Sequence, residues 1–181
     1  IRDLVRSRGI GDVYKRQGRY LAAALALSSG AYVGDLELAP AIVQDMLTSE
    51  PEGPPNGPYG LALRIVIDIL DGVGQHESAV RLLAHGDALG RGPDTDRAFL
   101  GNVEFGRAGV LLRRDADIGL ALVAGQRATA HFESVRDVMG MTFCKFGEGV
   151  VAAEVGESVR SRELLRDALR DFSERGAPLF A

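Results

Sequence analysis

Apolar residues recur at three- and four-residue spacing across residues 150–176, VVAAEVGESVRSRELLRDALRDFSERG. Leu164, Leu165, Ala168, Leu169 and Phe172 share one helix face there, Glu and Arg fill the remaining positions, and the pattern predicts a helical hairpin turning at Gly156. The same order of signals begins at Gly34 (GDLELAPAIV) and at Gly74 (GQHESAVRLL). The apolar pairs Ile42/Val43, Leu82/Leu83 and Leu164/Leu165 stand eight and nine positions after these glycines, which are 40 and then 82 residues apart. The doubled interval places a missing copy near residue 115, where GVLLRRDADIGLALV has an apolar segment, a polar break at 113–117 and a second apolar segment. Four helix-turn-helix units with a period near 40 are therefore expected, an all-α fold in which hairpins stack as an α-solenoid.

The first unit covers residues 18–50, with an Ala- and Leu-rich helix in YLAAALALSS, a turn at Gly34 and Asp35, and a second helix over 38–47. Pro40 suits the first turn of that helix, where its missing N–H costs no intrahelical bond. Residues 51–58, PEGPPNGP, form a linker that four prolines and two glycines keep from helix or ladder. The second unit, 59–89, carries a β-branched run at 64–70 for which a buried strand competes; the length of 59–73 and the repeat context favour helix. Residues 90–96 break the chain again, and Asp94 or Thr95 is the expected N-cap of a helix over 96–114. Gly101, Gly106 and Gly109 lie in that helix, each weakening it by about 1 kcal/mol relative to Ala, and are expected where a neighbouring helix approaches closely. Its partner, 118–138, lacks the turn glycine, and a break is expected between Ala124 and Thr129. The fourth unit spans 141–176, and residues 178–181 read as the start of a fifth.

With the turn glycine as origin, small residues fall seven before, five after and twelve after it: Gly149 and Ala168 around Gly156, Ala39 around Gly34 with Pro51 in a closing position, and Ala79 around Gly74. This spacing resembles tetratricopeptide-like (TPR-like) units, from which the chain departs in its longer period, in Ser161 and in lacking the Trp and Tyr landmarks. Residues 74–89, the PDTDR loop at 93–97 and AGQRAT at 124–129 resemble the helical C-terminal region of LuxR-family and related signal-transduction ATPase-type bacterial transcriptional regulators. That resemblance implies a cytoplasmic sensing or assembly region in a larger regulator, binding a protein or peptide partner or other modules of the same regulator. The ATPase activity itself does not carry over, because no G-x-x-x-x-G-K-[ST] occurs.

Composition changes this picture at the N-terminus. Residues 1–17, IRDLVRSRGIGDVYKRQ, hold one of only two lysines against 19 arginines in the chain, and show no sustained period. They closely resemble a translated sequencing adaptor and are expected to be non-native, leaving 18–181 as the repeat domain, a fragment of a longer protein. Their local balance is plus three, so the remaining residues carry about minus seven of a total of minus four, which opposes direct contact with nucleic acid. Arg-over-Lys usage with abundant Ala and Gly points to a GC-rich bacterial genome. The longest apolar run, residues 20–27, is far short of the roughly 20 residues of a membrane helix, so no membrane association is expected. The single Cys144 excludes an intramolecular disulfide and is compatible with a reducing cytoplasm.

Candidate chemistry is sparse. Gly72-Val73-Gly74 before Gln75, His76 and Glu77 lacks the third glycine and preceding strand of a dinucleotide loop, and reads as a helix–helix turn. His76, His85 and His131 with Asp94, Asp96 and Glu133 have no metal-ligand spacing. Cys144 with His131 lacks a third orienting group and reads as a core residue, as do Met141, Phe143 and Phe146. No catalytic, cofactor-binding or metal-binding residue is assigned, and a non-catalytic interaction or sensing module is expected. The alternative is a small helical enzyme or metal-binding domain, which a cluster of His76, His85 or His131 with acidic residues in one pocket would favour.

Overall fold

The computed structural model describes residues 8–48, 53–115 and 117–175, with side chains from Arg19 onward, Asp115 excepted. Expectations for Pro51, for residues 1–7 and for a fifth unit at 178–181 lie outside the described residues. Within them the fold is all-α: α1 (Arg8–Tyr32), α2 (Ala39–Thr48), α3 (Gly57–Gly72), α4 (His76–Leu89), α5 (Arg97–Val110), a π turn (Leu111–Asp115), α6 (Ile118–Ser134), α7 (Val138–Glu154) and α8 (Ser158–Glu174). The β-branched stretch at 64–70 is helical, inside α3. α3 packs between α1 and α5, each of α3, α5 and α7 packs on the helix that follows it, and α7 leans mainly on α6 and α8.

The turns explain the glycine signal. At Gly34, Gly74 and Gly156 φ is +79°, +84° and +81°, a left-handed conformation that glycine adopts without a Cβ penalty. Each turn closes with two backbone bonds, and at Gly74 these run from Gln75 N–H to the Leu70 carbonyl (2.7 Å) and from Gly74 N–H to the Asp71 carbonyl (3.2 Å). A fourth turn of the same form stands at Arg136, with φ +56° and Asp137 N–H donating to the Phe132 carbonyl at 2.9 Å. It ends α6 at Ser134, short of the expected Val138.

Other expectations need correction. α6 runs unbroken through Gly125, whose carbonyl accepts from Thr129 Oγ1 as well. The helix expected over 96–114 extends one residue further, its last turn a π turn ending at Asp115, and Asp117 then caps α6. The N-cap of α5 is Asp96, not Asp94 or Thr95: one carboxylate oxygen accepts from Ala98 N–H and the other from Gly57 N–H, both at 2.9 Å. Asp96 therefore ties the start of α3 to the start of α5, satisfying donors that both helix ends would otherwise leave open. α1 begins at Arg8, inside the stretch that showed no period. Leu169, placed on the apolar face of α8, is 45% exposed, since among the described residues α8 packs chiefly on α7 and its apolar stripe is wider than one neighbour covers.

Two aromatic runs cross the helices. Tyr20, Tyr59 and Phe99 join α1, α3 and α5 with centroids 5.3 and 6.1 Å apart; Phe105, Phe143 and Phe172 join α5, α7 and α8 at 6.3 and 5.0 Å. Of the three glycines in α5, Gly101 meets the expectation of close approach: a Cβ there would lie 2.7 Å from the Phe132 ring of α6. Gly109 faces the tips of Arg113 and Asp68, and Gly106 leaves room for a methyl group.

Candidate functional site

Burial concentrates polar chemistry at two places. Arg64, in α3, is 5% exposed, and its guanidinium carbon lies 4.1 Å from the Phe143 centroid and 4.9 Å from that of Phe105. Burial works against its charge and Asp68 works for it; the two rings supply the electrostatic contact that water would otherwise provide. Its Nε has no hydrogen-bond partner. Arg64 thus pins α3 against α5 and α7, and Cys144 sits in the same neighbourhood, its thiol pushed up to about 11 chiefly by burial. A thiol so shielded stays protonated and is a poor nucleophile, in keeping with its reading as a core residue. Met141, Phe143 and Phe146 are half-buried in this region of α7.

The second place is the α3–α4 turn. The Asp71 carboxylate is withdrawn from solvent and accepts from His76 Nδ1 at 2.7 Å and Arg113 Nε at 2.6 Å, while Arg113 Nη2 donates to Asp68 at 2.9 Å. Burial would raise the Asp71 carboxyl, but the hydrogen bonds from Arg113 and His76 outweigh it and hold the group below its ordinary value. Arg113 comes from the π turn, 42 residues away, so this tie fixes the α5–α6 connection onto the end of α3. The stretch from Gly72 to Glu77, weighed as a dinucleotide loop, follows a helix and forms this turn.

The remaining candidates are not brought together into a ligand set. His85 lies in α4, half-buried, with Nε2 lacking a partner, and burial lowers its pKa. His131 lies in α6, where burial and Arg97 lower its pKa against Glu104. Asp94 stands in the α4–α5 loop, Asp96 serves as the double cap, and Glu133 is exposed near the end of α6. Among the described residues, no group of three or more His, Cys, Asp or Glu is placed to hold a metal ion.

A cleft opens between α4, the π turn and α6. Val80 and Leu83 of α4 face Leu120, Val123 and Ala124 of α6 across a floor formed by Val110 and Leu111. Arg107, Arg114 and Arg127 complete the lining. Arg107 reaches Asp87 on α4 and lies 3.4 Å from Glu104. Sequence reading missed this cleft, although Leu120, Val123, Ala124 and Arg127 share one face of a helix at three- and four-residue spacing. Its opening depends on the π turn, which carries an extra residue per turn and has no signature in hydrophobic periodicity.

Among the described residues no helix is long and apolar enough to cross a membrane. Compared with family models, with curated proteins and with solved structures, the chain matches none.

Proposed function

We propose that the four hairpins stack as a TPR-like α-solenoid serving as a non-catalytic protein-interaction or sensing module in a cytoplasmic bacterial signalling or transcriptional regulator of the LuxR-related kind. The observation that carries this reading is the recurrence of one turn, Val-x-acid or Val-x-Gln around a left-handed residue, inside the first, second and fourth hairpins at 33–35, 73–75 and 155–157 and between the third and fourth at 135–137, the third hairpin turning through the π turn instead. A turn repeated with the same backbone bonds sets the same relation between successive helices, and repetition of that relation generates an extended stack. The first helices of such a stack line a concave surface suited to a peptide, a partner domain or another module of the same regulator. A net charge of −4 disfavours direct nucleic-acid contact by this segment. The complete gene tests the assignment: a nucleotide-binding motif encoded upstream in the same frame is the expected finding, and a complete small open reading frame beginning near Gly18 would contradict it.

A second reading, a small helical enzyme, draws on the buried Asp71 carboxylate bonded to a half-exposed His76. A carboxylate that orients an imidazole is a frequent element of general-base sites. This reading expects His76→Ala to abolish turnover of whatever substrate is found while leaving the fold intact, and loss of stability with unchanged turnover would remove it.

A further inference from the structure

We infer that His76 is a site of covalent modification, its Nε2 accepting a phosphoryl group from a donor of the N-phosphate or acyl-phosphate class. The imidazole is oriented through its other nitrogen. Nδ1 donates at 2.7 Å to one oxygen of Asp71, whose side chain has no exposed surface and whose second oxygen is held by Arg113 Nε at 2.6 Å. An ionised carboxylate can only accept, so Nδ1 carries the proton and the lone pair of the neutral ring lies on Nε2. The side chain is 49% exposed, which leaves that nitrogen open to a reagent in solution.

The other nucleophiles among the described residues lack this combination. His85 Nε2 is buried without a partner, and at His131 burial and Arg97 both act against protonation of the ring. Cys144 is buried, with its thiol pushed up to about 11. The start of α4 also suits the product. His76 is the first residue of that helix and Gln75 before it makes no side-chain cap, so no cap competes for the first N–H groups, and residues 75–77 are exposed. Such groups hold phosphate oxygens, and the helix dipole favours their charge. In the transfer the Nε2 lone pair forms the N–P bond, while the bond from phosphorus to the donor's nitrogen or oxygen breaks and the leaving group takes its electron pair. The ring keeps its Nδ1 proton and becomes cationic, and that charge faces the Asp71 carboxylate, as in sites where a buried carboxylate supports an imidazolium.

The test is reaction of the full chain with potassium phosphoramidate at neutral pH, followed by peptide mapping and phosphorus NMR. A single phosphoryl group is expected on His76, at Nε2, entering about tenfold faster than on His85 or His131. Asp71→Asn is expected to lower the His76 rate about tenfold, measured at a temperature where circular dichroism shows the variant folded. Urea supplies a check that needs no variant: in the unfolded chain the Asp71 tie is gone, and the three histidines are expected to react alike. Attachment at Nδ1, equal rates on the three histidines of the folded chain, a His76 advantage that survives urea, or indifference to Asp71→Asn each overturns the inference.

Discussion

Single residues fix the geometry more tightly than the hydrophobic pattern implies. The Phe132 ring lies between Gly101 of α5 and Gly140 of α7, and a Cβ on Gly140 would stand 2.3 Å from it. Gly140→Ala is therefore expected to destabilise the protein by about 1–3 kcal/mol, the range for overpacking a close contact, read as a lower urea midpoint at unchanged slope. An unchanged midpoint would show that Phe132 moves aside freely. Acid sensitivity follows from the buried groups. His85 and His131 have folded pKa values lowered from 6.5, so their protonation favours the unfolded chain and stability declines as pH falls below about 6.5. Asp71 is also lowered, from 3.8, so its contribution is complete above that value and disappears as pH drops through the folded pKa. Asp71→Asn is expected to cost about 1–2 kcal/mol at pH 7, since it weakens a shielded carboxylate tie whose Arg113 and His76 partners remain partly solvated. Urea unfolding at pH 7 and pH 2.5 should show that cost shrinking at the lower pH; a constant difference would mean Asp71 acts by packing alone.

At the level of elements, the regularity is stronger than the sequence reading anticipated. α6, α7 and α8 start at residues 118, 138 and 158 and end at 134, 154 and 174, a strict 20-residue register with Asp117, Asp137 and Glu157 ahead of each. Gly34, Gly74 and Gly156 were legible because a left-handed turn favours glycine. Arg136 escaped because an arginine occupies the same backbone state, and the shared signal was the flanking Val135 and Asp137, matching Val155 and Glu157. Arg136→Gly is accordingly expected to raise stability by about 0.5–1 kcal/mol by relieving that backbone state, seen as a higher melting temperature. A lower melting temperature would indicate that the arginine side chain contributes more than its backbone state costs. The helical content, the Pro40 position and the buried character of Cys144 could all be read from local pattern. The π turn, the double cap at Asp96 and the Asp71–Arg113 tie could not, because each depends on partners tens of residues away that no periodicity connects. The cleft inherits that invisibility, since its opening depends on the π turn.

For the whole molecule, stability is expected to be a property of neighbouring helix pairs. α3 and α5 each have helices on both sides and share the largest core, which gathers Tyr59, Leu63, Ile67, Leu70 and Phe99, whereas among the described residues α8 packs chiefly on α7. In a stack held by nearest-neighbour contacts, opening begins at the ends and the centre goes last. Native-state hydrogen exchange resolved by helix measures this directly. The account predicts a graded profile, with amides of α3 and α5 exchanging slowest and those of α8 exchanging at least tenfold faster, through local opening that low denaturant scarcely accelerates. Uniform protection across α3, α5 and α8, with all three accelerated together by denaturant, would show one cooperative globule and contradict the stacked-hairpin account.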